Sequence, residues 1–406
     1  MPELPCGNAV IGQSGGPTAV INQSLVGVVE GVREYAGGAV ERVFGMQHGV
    51  RGLTEGRLID LTDAPADRLE RIAQTPSAAL GSTRDKPDGA YCARILEACA
   101  KSNIRYFFYI GGNDSSDTCR IVNELAHTGG HELRCFHVPK TVDNDLMEND
   151  HTPGFPSAAR YVAKALMGDA RDNHSIPGVK INVVMGRHAG FLTAASALAR
   201  TTDDDGPHLV YVPEVAFDTD RFTDDVAGVL DRFGRCQIAV SEGISDESGE
   251  SIGAKLIGGQ RDAHGNVQLS GSGALGDSLA QLLKEKLTPT GGKGPRVRAD
   301  TLGYMQRCYP DASAVDQREA REAGRAAARL AGEGHIDGSV AIVRESKPGA
   351  GEDYRSSMKR IELSDVAAKT RHLPPEFLRG TNDVSGAFLD YCRPLVGELP
   401  VFERLF

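Results

Sequence analysis

Short apolar runs punctuated by glycine alternate along this chain with longer stretches of helical period. The runs Asn8 to Ile11, Val40 to Phe44, Tyr106 to Ile110, Leu133 to Val138, Ile181 to Val184, His208 to Val212, Gln237 to Val240 and Ser339 to Val343 predict strands. Helices are predicted over 18–34, 67–74, 91–101, 158–169, 278–287 and 314–330. In the third of these, Cys92, Ile95, Leu96 and Cys99 form one apolar stripe, read as packing. This alternation, from Asn8 to Met185, predicts a largely parallel, doubly wound α/β sheet. Ligands of such sheets sit beyond the carboxyl ends of the strands, so the loops there carry the candidate chemistry.

The first such loop is Gly12-Gln13-Ser14-Gly15-Gly16-Pro17, opening a helix for which Pro17 suits the first turn. Backbone N–H groups bared by glycine at a helix N-terminus suit phosphate oxygens, although the same turn is also a common packing device. The second, Leu80-Gly81-Ser82-Thr83-Arg84-Asp85-Lys86, reads equally as a solvated basic turn. The third, Gly111-Gly112-Asn113-Asp114-Ser115-Ser116, follows a buried strand and opens a helix. The fourth is Pro139-Lys140-Thr141-Val142-Asp143-Asn144-Asp145, with two carboxylates at alternate positions and a lysine three residues before the first. Asp143 suits proton removal from a hydroxyl, and Lys140 suits charge neutralisation on a transferring phosphoryl group. An Asx-rich turn of purely local purpose is the competing reading.

Together these loops resemble the phosphofructokinase family, from Ile11 to about Arg307. The resemblance implies two facing Rossmann-like, doubly wound α/β domains of the phosphofructokinase fold. A phosphoryl-donor domain is expected over 1–154 plus 306–360 and a sugar-phosphate domain over 155–305 plus 361–406. The fourth loop resembles the family's catalytic segment, and Lys140 resembles the form that uses pyrophosphate instead of ATP. The implied reaction is reversible transfer from pyrophosphate to the 1-hydroxyl of fructose 6-phosphate, with Mg²⁺ as cofactor. An ATP-dependent 6-phosphofructokinase is the alternative within the same chemistry.

By this resemblance Asp143, Lys140, Asp114 and Arg84 are the catalytic group, and Gly12, Gly112 and Lys140 hold the donor. Thr141, Asp143, Asp145, Met185, Gly186, Arg187, Glu242, Arg298, Tyr304 and Arg307 are the expected acceptor contacts, Arg298 reaching into a neighbouring subunit of a homodimer or homotetramer. A second cross-subunit arginine is replaced by Gly178, with Lys180 as a substitute. The family's metal-binding aspartate is replaced by Asn113, which brings no charge to a hard cation. Asp114 matches the pyrophosphate-dependent members and is expected to repel the α-phosphate of ATP, with Lys140 offsetting its repulsion of pyrophosphate.

Composition narrows the alternatives. The 406 residues exceed one hydrophobic core, so two domains are expected. A formal net charge of −10 argues against a nucleic-acid partner, so a polyanion needs a local basic cluster. Eight cysteines without CxxC or zinc spacing, and the absence of a leader pattern, predict a reduced, cytoplasmic protein. No apolar stretch approaches the roughly 20 residues that span a bilayer. Two other classes compete. Gly271-Ser272-Gly273-Ala274-Leu275-Gly276 is a GxGxxG with Asp300 as a ribose acid, pointing to a dinucleotide-dependent dehydrogenase. A catalytically silent regulatory subunit is favoured by Asn113 and opposed by Asp143, Lys140 and Arg187. The last fifty residues offer no expected site, and Arg371 and His372 are read as surface.

Overall fold

The computed structural model describes residues 4–257 and 273–403. Its strands in chain order are β1 (Gly7–Gln13), β2 (Val40–Met46), β3 (Leu58–Asp60), β4 (Ile104–Gly111), β5 (Arg134–Pro139), β6 (Val179–Val184), β7 (Leu209–Tyr211), β8 (Cys236–Ser241), β9 (Val297–Thr301), β10 (Asp337–Arg344) and β11 (Ser356–Ile361). The chain packs as two units, Met1–Ser157 with Arg307–Arg371, and Ala158–Gln306 with His372–Phe406.

Among the described residues, the first unit holds one seven-stranded sheet in the order β11-β10-β5-β4-β1-β2-β3. β1 pairs in parallel with β2 and β4, and β5 with β4 and β10. Only β3 and β11 run antiparallel to their neighbours. The chain leaves β1 toward β2 and later returns to its other side as β4, so the order reverses between β1 and β4. That switch point opens a crevice outside the carboxyl ends of these strands. β4 is central and covered on both faces, which accounts for its nearly unbroken apolar run from Tyr106 to Ile110.

The α-helices Ile21–Tyr35 and Ala314–Gly332 pack together against this sheet, with Val28, Val32, Ala323 and Ala327 in the shared core. Their backbones approach closely: a Cβ on Gly27 would stand 2.1 Å from the Arg321 carbonyl oxygen, and one on Gly324 2.2 Å from that of Ser24. The first helix begins at Ile21 rather than directly after Pro17, because residues 14–20 form an irregular turn. Within that turn Gly15 has φ +77° and the Thr18 carbonyl accepts from Ser77 N at 3.0 Å.

The second unit has the parallel order β7-β8-β6-β9, with Phe222, Leu275 and Leu279 in the core beside the sheet. The sequence expectation set the return to this unit at 361. Residues 361–371 belong instead with the first: Leu363 and Val366 are buried in its cores, and Arg371 N donates to the Asp145 carbonyl at 2.8 Å. Among the described residues, no helix is long and apolar enough to cross a membrane.

The glycine contact between the two helices yields a prediction. Alanine is the better helix former by about 1 kcal/mol, yet at 324 its methyl meets backbone. Gly324→Ala is therefore expected to destabilise the protein by a net of about 1–2 kcal/mol through overpacking, read as a thermal midpoint lower by several degrees. A raised midpoint would show that the helices can part without cost.

Candidate active site

Four loops of the first unit meet beyond β1, β4 and β5. Ser14 N donates to the Ile110 carbonyl at 2.9 Å, and Gly15 N to that of Thr83 at 2.8 Å. Ser82 Oγ donates to the Gly15 carbonyl at 2.6 Å, and Ser115 Oγ to Ser14 Oγ at 2.9 Å. Lys140 closes the group, its backbone N on the Gly111 carbonyl and its Nζ on that of Gly16, each at 2.9 Å.

The Lys140 side chain is buried, at 3% exposure. Burial depresses its pKa to about 8, with Arg307 and Arg84 pushing the same way and Asp145 and Asp143 opposing. Arg307 stands so near the turn that a Cβ on Gly16 would lie 2.9 Å from its guanidinium, and one on Gly15 would lie 3.0 Å from Lys140 Nζ. Three cations and two carboxylates thus share one locality, in which a polyanion finds the local positive charge that the acidic chain as a whole lacks.

Asp143 leaves β5 on a turn in which its N donates to Thr141 Oγ1 at 3.1 Å. Asn144 has φ +60°, a left-handed conformation that asparagine tolerates, so Asp143 and Asp145 flank a sharp corner. Asp145 Oδ2 accepts from Asn113 Nδ2 at 3.4 Å. Asn113 opens the helix Asn113–Thr128, and its Oδ1 is buried with no hydrogen-bond partner among the described residues. Such an oxygen suits a hard cation or a cation's water.

Several expectations change here. Gly12 lies within β1, where a Cβ would stand 2.3 Å from Met46 Cε and 2.9 Å from the Tyr109 ring, so packing explains this glycine. Gly15 and Gly16 are the glycines that approach the cations, and only the loops' assembly reveals it. Gly112 caps the helix in extended conformation, with Lys140 as its neighbour. The Asp114 carboxylate pairs with Lys86 Nζ at 3.2 Å, and both side chains are mostly exposed, at 61% and 75%. Arg84 is exposed on the second loop.

In the second unit Met185, Gly186, Arg187, Glu242 and Tyr304 follow the carboxyl ends of β6, β8 and β9, whereas Arg298 lies near the amino end of β9. Met185 N donates to Gln306 Oε1 at 3.3 Å, and Ser241 Oγ to the Gly186 carbonyl at 2.7 Å. Gly186 has φ +124°, and Glu242 is buried with its N on the Val184 carbonyl at 2.9 Å. A cavity of about 540 Å³ opens here between Arg187, His188, Glu214, Gly243, Ser245 and His372. Glu214 and His372 were not found by sequence reasoning. Glu214 Oε1 accepts from Gly190 N and Leu373 N, while its Oε2 is buried without a partner among the described residues; burial raises its pKa. Tyr304 is 48% exposed. Arg298 is exposed on β9, in register with Lys180. Lys180 is committed to Asp169 at 2.9 Å and Asp172 at 2.8 Å, so it does not serve as a free substitute for the missing arginine. Arg307 belongs to the first unit, beside Gly16.

A larger cavity in this unit, about 670 Å³ between Arg200, His208, Arg232 and Arg379, includes none of the predicted residues. Of the GxGxxG motif, Gly271 and Ser272 lie outside the described residues. Its last glycine, Gly276, serves packing: a Cβ there would stand 3.0 Å from Ala299 Cβ and 3.2 Å from Val183 Cγ2. Arg371, read as surface, is half-buried, with its guanidinium donating to the carbonyls of Asn149 and Asp150 at 2.7 and 2.6 Å.

The phosphofructokinase family model matches residues 8–331. A pyrophosphate–fructose 6-phosphate 1-phosphotransferase of Rhodospirillum rubrum is 55% identical over 98% of this chain and 96% of its own length. One of Xanthomonas campestris is 35% identical, covering 97% and 93%. The crystal structure of a pyrophosphate-dependent phosphofructokinase from Marinobacter aquaeolei superposes with a TM-score of 0.83 at 32% identity, over 98% of this chain and 94% of that one. A catalytic-type loop, a buried lysine beside glycine carbonyls and likeness along the whole chain converge: the protein belongs to the phosphofructokinase family.

Proposed function

We propose that this enzyme transfers a phosphoryl group from pyrophosphate to the 1-hydroxyl of fructose 6-phosphate, reversibly, giving fructose 1,6-bisphosphate and phosphate. The observation that carries the reading is Lys140, buried on the Gly16 carbonyl three residues before Asp143. The names of the whole-chain relatives support the same donor and acceptor.

In this reading Asp143 takes the proton of the 1-hydroxyl as its oxygen bonds to phosphorus and the bridging P–O bond of pyrophosphate breaks. Phosphoryl transfer has a loose transition state, so most of the catalysis comes from positioning and from charges on the equatorial oxygens. Lys140, Arg84 and Arg307 supply these charges, and backbone N–H groups of the glycine turns add fixed dipoles. Asn113 Oδ1, buried without a partner among the described residues, would hold a magnesium ion directly or through water, and the ion would supply neutralisation of phosphate charge. An amide oxygen there would bring no charge to the ion, unlike an aspartate. Met185, Gly186, Arg187, Glu242 and Tyr304 orient the sugar phosphate; Glu214 and His372 line the cavity that Arg187 also lines. Arg298, exposed on β9, is the contact offered to a second copy of a homo-oligomer. The described cysteines are all free, which supports a reducing, cytoplasmic setting.

Three measurements test this. Asp143→Ala should lower turnover by about 10² to 10⁴, with sugar-phosphate affinity within threefold of wild type by calorimetry. Turnover above a tenth of wild type would remove Asp143 from the role of base.

The exposed Asp114 sets the scale of donor selection. Two unit charges about 4 Å apart in a water-like dielectric repel by about 1 kcal/mol, roughly fivefold in donor preference, and the Lys86 pair reduces even this. Asp114→Gly should therefore shift the ATP-to-pyrophosphate ratio of kcat/KM toward ATP by no more than about fivefold. A thousandfold switch would mean that Asp114 meets the donor in a buried setting.

Finally, Lys140 titrates downward from its ordinary range, to about 8, so its charge is present below that pH and lost above it. The free enzyme's kcat/KM for pyrophosphate should fall as pH rises through about 8, and Lys140→Gln should lack this alkaline limb while being slow throughout. An unchanged limb in the variant would assign the titration elsewhere.

A further inference from the structure

The segment that carries Asp143 is a closed loop. Thr141 N donates to the Pro153 carbonyl at 3.2 Å and Thr152 Oγ1 to the Thr141 carbonyl at 2.9 Å, so its two ends are tied at one neck. Between them, Leu146 is buried against Ala341, Ile361 and Val366. The descending limb then docks on β10: Asp150 N donates to the Ile342 carbonyl at 2.8 Å, and Ile342 N to Asn149 Oδ1 at 3.0 Å.

Beyond this point the limb meets a buried charged cluster that the reaction as described does not use. His151 is wholly buried, with Nδ1 2.8 Å from Asp150 Oδ2 and Nε2 2.7 Å from Glu319 Oε2. Asp150 Oδ2 also accepts from Arg344 Nε at 3.2 Å. Glu319 Oε1 accepts from Tyr354 at 2.7 Å and from Ser356. One turn earlier on the same helix, Asp316 accepts from Gly154 N at 2.8 Å and Ser157 N at 3.0 Å. Residues three apart share one face of a helix, so two buried carboxylates of Ala314–Gly332 grip the loop side by side.

An imidazole with a carboxylate on each nitrogen is held as the cation. Burial alone would lower its pKa, but the two hydrogen bonds outweigh burial and hold it at about 9. A buried ion pair of this kind is weak evidence for stability, because well-packed apolar groups often do as well. Its value is geometric: a rigid ring spanning two carboxylates fixes the limb to a helix in both distance and angle. A misplacement of 1 Å at a reacting group can cost about a hundredfold in rate.

We propose that His151, clamped between Asp150 and Glu319, is a positioning residue that sets the placement of Asp143. The inference rests on the reading of Asp143 as the base. It acts through the loop and not by contact with a substrate, so its loss is expected in kcat and not in KM.

The test is the double variant His151→Gln with Glu319→Gln, assayed beside Asp143→Ala with pyrophosphate and fructose 6-phosphate. The double variant removes one charge of each sign and keeps an amide-to-amide bond, but a flexible glutamine cannot span both partners. Expected are a native circular dichroism spectrum, kcat lower by at least tenfold and both KM values within threefold. A folded double variant with kcat within threefold of wild type overturns the proposal, as does an effect confined to KM. Should the double variant fail to fold, Tyr354→Phe, which removes one restraint from Glu319 and leaves the imidazole in place, is expected to lower kcat by about threefold at constant KM; unchanged kcat overturns the proposal. An inactive Asp143→Ala beside a fully active double variant defeats this inference alone. Substantial turnover by Asp143→Ala defeats the base assignment, and with it the target of His151.

Discussion

An ammonium group held out of water is the constraint around which the first unit is built. Burying Lys140 is costly unless its charge finds partners, and they come from separate loops: the Gly16 carbonyl, Asp143 and Asp145. Bringing Arg84 and Arg307 close by works against the same ammonium, which is why its proton is held less firmly than usual. Three cations against two carboxylates leave the locality an excess of one positive charge. A compact polyanion relieves it, and pyrophosphate is such an anion. Recognition by this route needs no overall basic charge, and a chain of net charge −10 shows none.

The backbone around that lysine is arranged by contacts that only small residues allow. Glycine at 15 and 16 lets the β1 turn come within reach of Lys140 and Arg307, and glycine at 27 and 324 lets the helix after that turn lie tight against the helix that bears Asp316 and Glu319. One helix thus packs on the helix that follows the β1 turn and, through its carboxylates, on the loop that carries Asp143.

Much of this was legible in the chain. The strands between Asn8 and Val343 announced themselves because central parallel strands are apolar on both faces, as with Tyr106 to Ile110. β9 and β11 did not, because Val-Arg-Ala-Asp-Thr and Ser-Ser-Met-Lys-Arg-Ile sit at sheet edges with polar positions facing out. β3, three residues long, gave no period to read. The heptapeptide of the base and the strand-end residues Met185 to Arg187 and Glu242 were visible as motifs. At Gly12 the sequence alone does not separate a glycine that avoids Met46 from one that bares an N–H to phosphate. Lys86 as the partner of Asp114, and Arg371 on Asn149 and Asp150, were invisible for a different reason: the partners lie far apart along the chain, and only the folded sheet brings them together.

The discontinuity of the first unit bears on the order in which the molecule is made. When Ser157 leaves the ribosome, the sheet still lacks β10 and β11, and the loop around Asp143 lacks Asp316, Glu319 and Arg371. The whole of Ala158–Gln306 is synthesised before those anchors exist. At about 5–20 residues per second, the roughly 200 intervening residues leave the first unit incomplete for some 10–40 seconds. During that interval an exposed edge of β5 waits for its neighbour, so the nascent chain offers a strand to whatever lies near it. The loop around Asp143 has all of these anchors only once Arg371 has emerged.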